Sequence, residues 1–178
     1  MTAISARAKS RWVLHIDLDQ FQAAVEVRRR PELAGLPIIV GGNGDPNEPR
    51  KVVTCASYPA RKFGVHAGMP LRTAARKCPD ATFLPLDTAA YDEASEGVMS
   101  VLRDFGHPVE VWGWDEAYVG AEVDSPIALA EQIREVIAGA TEFRVRSASA
   151  TTNIAPRSPP VSANRPASTN SPTRTGSR

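Results

Sequence analysis

Two apolar runs that end in acid constrain this chain more than any other feature. Trp12-Val13-Leu14-His15-Ile16 runs into Asp17-Leu18-Asp19, and much later Val111-Trp112-Gly113-Trp114 runs into Asp115-Glu116. Short apolar runs of this kind read as buried strands. If the two strands are neighbours, their carboxylates meet at one end of a sheet. Clustered hard oxygen donors suit Mg²⁺, and two such ions can clamp the attacking and leaving oxygens of a phosphoryl transfer. A chain built this way is expected to handle nucleotides.

The residues between these runs read as a mixture of elements. Phe21 to Arg30 has a helical pattern with a basic last turn and Pro31 as its stop. Leu36 to Val40 and Val52 to Cys55 read as strands, Tyr58 to Phe63 and Pro70 to Lys77 as short helices, and Phe83 to Leu86 as a brief extended piece. Thr88 to Phe105 is amphipathic, with Tyr91, Ala94, Val98, Val101 and Leu102 near one face. Val109 to Trp114 and Ala117 to Val123 form a hairpin pattern around Asp115-Glu116, and Pro126 to Ala138 is a last helix. Strands and helices mix without strict alternation. That favours an α+β fold, with helices on one face of a largely antiparallel sheet.

Composition bounds the rest. The 178 residues suffice for one domain of ordinary size. Cys55 and Cys78 are too few for a disulfide framework and lack metal-type spacing, so a reducing cytoplasmic setting is expected. Residues 1–11 are polar and mildly basic, with neither an export signal nor a membrane span after them, and read as a flexible end. From Phe143 onward there are six arginines and no acid. The formal +1 of the whole chain therefore leaves −5 on the residues before it. A net-negative body is a poor DNA binder without a metal or a basic partner segment. Residues 143–178 are rich in Ser, Thr, Pro, Arg, Ala and Asn, contain no Leu, and are expected to be disordered.

A shift of reading frame near Thr141 offers another account of that tail. With one nucleotide restored, each codon takes its last two bases from the first two of a displayed codon. Ser147-Ala148-Ser149-Ala150-Thr151-Thr152-Asn153 then allows Val-Gly-Ile-Gly-Asp-Asn-Lys. The stretch Pro156 to Ala167 allows Ala-Lys-Ile-Ala-Thr-Gly-Phe-Gly-Lys-Pro-Ala-Gly. The restored reading has a buried-strand start, a helix and a glycine-bounded turn where the displayed one has none.

Three ordered motifs resemble one family. His15-Ile16-Asp17-Leu18-Asp19-Gln20-Phe21 is similar to the first palm motif of the Y-family, translesion DNA polymerases, especially the DNA polymerase IV class. Val53-Thr54-Cys55-Ala56-Ser57-Tyr58-Pro59-Ala60-Arg61-Lys62-Phe63-Gly64-Val65, continued by Gly68-Met69-Pro70, is similar to the fingers motif. Trp114-Asp115-Glu116-Ala117-Tyr118 is similar to the second palm motif.

The resemblance implies a ferredoxin-like palm at residues 12–30 and 88–142, with a small fingers insert at 31–87. It implies two Mg²⁺ ions held by Asp17, Asp115 and Glu116 with the Leu18 carbonyl, and nucleotide contacts from Phe21, Gln22, Tyr58 and Arg61. Its partners would be primer–template DNA and a deoxynucleoside triphosphate; a sliding clamp is expected for a full-length relative and not for this chain. An arginine fork suits phosphate oxygens, and backbone N–H groups at the start of the Phe21 helix suit an anion.

This sequence departs from the family pattern in several places. Gln22 stands where an aromatic sugar gate is usual, Gly113 where a serine is usual and Gly120 where an acid is usual. No counterpart of the palm's last strand, the thumb or the little finger is expected, so the chain reads as a truncated and inactive copy.

Other readings attach to the same residues. A haloacid-dehalogenase-type phosphatase also follows an apolar strand with Asp-x-Asp, using the first acid, here Asp17, as nucleophile. It wants Thr or Val where Phe21 stands, and a parallel sheet. A non-catalytic module with an arginine-rich nucleic-acid-binding tail is a third class. Asp19 suits a helix N-cap as well as a metal-linked role. Trp112 and Trp114 alternate around Gly113 and are expected on one sheet face as packing, not as base-stacking platforms. Cys55 reads as a small buried residue.

Overall fold

A computed structural model describes residues 10–152, with side chains through Val145. The first strand, β1 (Ser10–Leu18), is the axis of the molecule. It pairs antiparallel with β6 (Glu116–Val123) on one side and with β7 (Val145–Thr152) on the other. β5 (Val109–Val111) adds to β6, giving the order β5-β6-β1-β7. Alternation decides which side chains go inward. Leu14, Ile16 and Leu18 of β1 and Ala117, Val119 and Ala121 of β6 are buried on one face. Asp17, His15 and Val13 face the other way with their partners Glu116, Tyr118 and Gly120.

The buried face is covered by helices. In α4 (Thr88–Asp104), Tyr91, Ala94, Ser95, Val98, Met99 and Leu102 are buried at helical spacing. The Asp87 carboxylate caps its start by accepting from Ala90 N at 3.2 Å. That bond and the nearby Arg29 hold the Asp87 carboxyl below its usual range. α5 (Pro126–Thr141) begins with Ser125 as cap and Pro126 in its first turn, and buries Leu129, Ala130, Ile133 and Ile137. α1 (Phe21–Arg29) buries Phe21, Ala23, Val25 and Glu26. These apolar side chains form one continuous core with those of β1 and β6.

Between α1 and α4 the chain builds a smaller layer. β2 (Ile38–Val40) pairs antiparallel with β3 (Cys55–Ala56) and parallel with β4 (Thr82–Leu84). Two short helices, α2 (Tyr58–Arg61) and α3 (Leu71–Lys77), pack beside it. Ile39, Val53, Ala60, Val65, Leu71 and Ala74 make a second core there. Gly41 closes β2 because a Cβ at that position would collide with the Val52 carbonyl. The expected strand from Val52 is shorter than its sequence suggests. Val53 N donates instead to Met69 O at 2.8 Å, and Val52 makes only an isolated bridge to Pro70.

One expectation is overturned. Residues 145–152, placed in a disordered tail, form β7, and the last strand expected to be lost is present in the sheet. The reason is that a ladder is made of backbone groups. The edge of β1 offers unpaired N–H and C=O groups, and a segment free of Pro and Gly can satisfy them whatever its hydrophobicity. Phe143 anchors the approach, buried against Phe21 with ring centroids 5.5 Å apart. The rest of the tail, 153–178, and the flexible start, 1–9, lie outside the described residues. Among the described residues, no helix is long and apolar enough to cross a membrane.

Candidate active site

β1 and β6 deliver the acidic cluster. Asp17 and Glu116 are direct cross-strand partners on the face away from the helices. Such partners hold their Cβ atoms about 4.5–5.5 Å apart. Asp115 precedes β6, and its carbonyl accepts from Leu18 N at 2.9 Å, which ties the end of β1 to the turn. All three carboxylates line a cavity of about 460 Å³ between the main sheet and the smaller layer. Leu18, Phe21, Gln22 and Arg61 line it as well. Tyr58 is the one residue of the expected set outside that lining.

The electrostatics match the clustering. The Asp115 carboxyl is pushed above its usual range, first by burial and then by the charges of Asp17 and Glu116. The site therefore favours neutralisation by a proton or a cation. Among the described residues, no three His, Cys, Asp or Glu side chains stand close enough to hold an ion unaided. Further donors would have to come from backbone, water or phosphate, as is usual for Mg²⁺. On the opposite wall, Arg61 spends its Nε–H on Ala56 O at 2.8 Å, which leaves the outer guanidinium nitrogens for a ligand. Burial pushes the Cys55 thiol up despite the nearby Arg61 charge, so this cysteine is unreactive packing.

Phe21 and Gln22 offer different things. The Phe21 ring is in the core between Tyr91 and Phe143, so only its backbone is available to a ligand. Gln22 Oε1 lies 2.7 Å from the Thr54 hydroxyl, which also lies 3.1 Å from Val40 O. A hydroxyl has one hydrogen and serves one acceptor at a time. With its oxygen facing Thr54, Gln22 keeps its amide N–H groups for the cavity.

A clasp joins the two layers at the end of β1. Asp19 is not a helix cap, because the cap position belongs to Gln20, whose side chain makes no capping bond. Asp19 instead accepts from the Tyr58 hydroxyl, and Gln20 Oε1 accepts from Tyr58 N at 2.7 Å. The Arg61 guanidinium lies 5.0 Å from the centre of the Tyr58 ring. Gln20 adopts a left-handed backbone, φ 41°, which is uncommon for a side chain of this size. Its own bond to Tyr58 N, and that of Asp19 to the Tyr58 hydroxyl, tie it to the smaller layer.

The two tryptophans separate. Trp114 turns toward the helices, packing on Tyr91 with centroids 5.6 Å apart and donating from Nε1 to Asp92 at 2.6 Å. Trp112 turns to the open face and meets Tyr118. The expected common face is wrong because β5 ends at Val111 and the turn to Glu116 breaks the alternation. Neither unusual glycine is forced by space: a Cβ at Gly113 or Gly120 would meet nothing closer than 3.8 Å. Sequence reasoning missed Gln20, Thr54 and Trp114 as site residues. Each lies inside one of the three motifs, and that membership is the signal that could have found it.

Comparison with known proteins gives the class. The chain belongs to the impB/mucB/samB family, whose model matches residues 16–156. Its relatives are Y-family DNA-directed DNA polymerases of the DNA polymerase IV class. It is 68% identical over 137 residues to DNA polymerase IV 2 of Mycobacterium tuberculosis (strain ATCC 25618 / H37Rv), covering 75% of this chain and 40% of that protein. It is 47% identical over 112 residues to DNA polymerase IV 2 of Methanosarcina mazei, covering 63% of this chain and 30% of that protein.

Among solved structures it is similar to DinB from Sulfolobus solfataricus, with TM-score 0.69 and 29% identity over 80% of this chain and 42% of that one. An insertion ternary complex of Dbh DNA polymerase matches with TM-score 0.67 and 31% identity over 75% and 41%. The chain thus spans about two-fifths of the length of the first relatives it matches. The phosphatase alternative is overturned: β1 is antiparallel to both neighbours, and the matched family is a different one.

Proposed function

We propose that these residues form the palm and fingers of a translesion DNA polymerase that joins a deoxynucleotide to a primer end at the Asp17–Asp115–Glu116 cluster. The β1/β5/β6/β7 sheet with α1, α4 and α5 serves as a ferredoxin-like palm, and the insert at 31–87 serves as fingers. The observation that carries this reading is the Asp17–Glu116 pairing, with Asp115 at the same edge and Arg61 across the cavity.

The donor set fits Mg²⁺. Asp17, Asp115 and Glu116, with the Leu18 carbonyl, would hold two ions. When bound, they neutralise charge developing on the transferred phosphoryl group. The protein's own residues do the positioning. Arg61 binds phosphate oxygens of the incoming triphosphate through its outer nitrogens. Tyr58, held by Asp19 and Gln20, orders that arginine from beneath. The backbone at Phe21 faces the phosphates at a helix start. Gln22, anchored on Thr54, faces the sugar with amide donors in place of an aromatic plate, so exclusion of a 2′-hydroxyl by bulk is weakened.

We infer further that the 178-residue polypeptide alone binds Mg²⁺–nucleotide weakly and extends primers poorly or not at all. A frame displaced near Thr141 accounts for the composition that follows. Primer extension with Mg²⁺ tests both statements. The chain as written should be inactive, a one-base insertion at the Thr141 codon in the gene should restore extension, and Asp115→Ala should then abolish it. Robust extension by the unmodified chain overturns the inactivity; none after frame restoration overturns the polymerase reading.

A further inference from the structure

Trp112 is 66% exposed, more than any other described Phe, Tyr or Trp, yet it is held on several sides. Its Nε1–H donates to Glu110 Oε1 at 2.9 Å. Tyr118 meets it at a ring-centroid distance of 5.3 Å and an interplanar angle of 70°. Tyr118 in turn stacks on His15 at 4.9 Å and 28°. Aromatic side chains therefore run across the open face from β1 through β6 to the turn after β5. The backbone N–H of Trp112 donates to Glu116 O at 3.0 Å, so Trp112 is the lateral neighbour of Glu116 in the row that also holds Asp17. Adjacent strands lie about 4.8 Å apart, which puts the indole one strand outside the carboxylate pair.

Fixing a large side chain in solvent costs rotamer entropy, and here the fold meets that cost in advance. The N–H is satisfied and one flank is packed, while most of the ring stays bare. The surroundings decide what it can bind. Glu110, Glu116 and Asp17 are acidic, and Arg11, the cation on this face of β1, is paired with Glu122 at 2.7 Å. Without bound Mg²⁺, phosphate is repelled there, so the indole face itself is no phosphate site. A flat, uncharged group fits, and nucleobases stack on indoles regardless of sequence.

We propose that Trp112 is a stacking platform for the terminal nucleoside of the primer strand, setting its 3′ end beside Asp17 and Glu116. The inference rests on the polymerase reading and deepens it. The occupant is the strand whose terminal hydroxyl must reach that carboxylate row, and the platform continues the row outward.

The test is fluorescence anisotropy of a recessed primer–template with 2-aminopurine at the primer 3′ end, titrated with the full chain in Mg²⁺ at low ionic strength, where weak binding stays measurable. Trp112→Ala should weaken binding roughly tenfold, the loss expected for one base–aromatic stack. Trp112→Phe should keep most of the affinity. The unmodified chain should change the 2-aminopurine emission and the alanine variant should not. Circular dichroism checks that the variants fold, and a substitution at so exposed a position leaves the core untouched. Equal binding by Trp112→Ala and the unmodified chain, no binding by either, or Trp112-dependent self-association in sedimentation each overturns the proposal. Failure of the polymerase reading shows separately, as absence of Mg²⁺-dependent deoxynucleotide binding by the unmodified chain.

Discussion

Replacing Glu26 by leucine tests the least expected part of the interior. Its carboxylate is 1% exposed on α1, accepts from the Tyr91 hydroxyl at 2.8 Å, and meets Arg30 and, at 3.5 Å, Arg29. Arg29 also reaches Asp87 at 2.9 Å, so one acid ties α1 to α4 and to the start of α4. In Glu26→Leu the arginines, 46% and 41% exposed, release their heads to water, and each lost pair costs about 0–1 kcal/mol. Tyr91 cannot do the same. It is fully buried, and its orphaned hydroxyl costs about 1–3 kcal/mol. The total of about 3 kcal/mol corresponds to a fall in melting midpoint of roughly 6–12 °C for a chain of this length.

The decisive comparison is the double variant. Glu26→Leu with Tyr91→Phe removes both polar partners together, and should recover to within about 1 kcal/mol of the unmodified protein. Urea unfolding reads this as a shift of midpoint at constant slope. If the double variant is no more stable than Glu26→Leu alone, the stranded hydroxyl is not the source of the cost.

Three further outcomes follow from the same geometry. Ending the chain after Arg144 strips β7 from β1 and should cause aggregation seen by light scattering, whereas ending it after Thr152 should leave the melting midpoint almost unchanged. Asp115 titrates above its ordinary value of 3.8, so holding it ionised costs stability that is absent below that value and complete once pH exceeds the folded pKa. Asp115→Asn should therefore raise the midpoint at pH 7, lose that advantage at pH 3, and reduce the stabilisation that Mg²⁺ gives, all by scanning fluorimetry. Asp19→Ala removes the acceptor of the Tyr58 hydroxyl and should speed amide exchange in α2 about tenfold, the loss of one hydrogen bond to a charged group. The global midpoint should move by less than about 2 °C, because the clasp lies outside the core.

Much of this arrangement was legible in the residues, and the misses have physical causes. β1, α4 and α5 have the periodicity of their element, so their buried faces follow from pattern, whereas β1 runs two residues further at each end and α5 three residues beyond Ala138. The Asp17–Glu116 partnership follows from two apolar strands finishing at the same place. Pattern failed where the determinant is not a side chain's own hydrophobicity. β7 is held by main-chain bonds, which leave no mark in composition. Trp112 and Trp114 part company because a turn resets the alternation between them. Asp19 looks like a cap when only its neighbours in sequence are considered; its real partner, Tyr58, is 39 residues away and reaches it only once both layers are folded.

β7 carries one more implication. An outermost ribbon secured by peptide groups asks little of the codons that specify it, beyond the absence of proline. A shift of reading frame beginning near such a ribbon would leave everything upstream shaped as before, and would erase only the functions encoded downstream. A gene damaged there would go on yielding a folded protein that keeps its acidic cavity, and its persistence in the cell would say nothing about whether it still works.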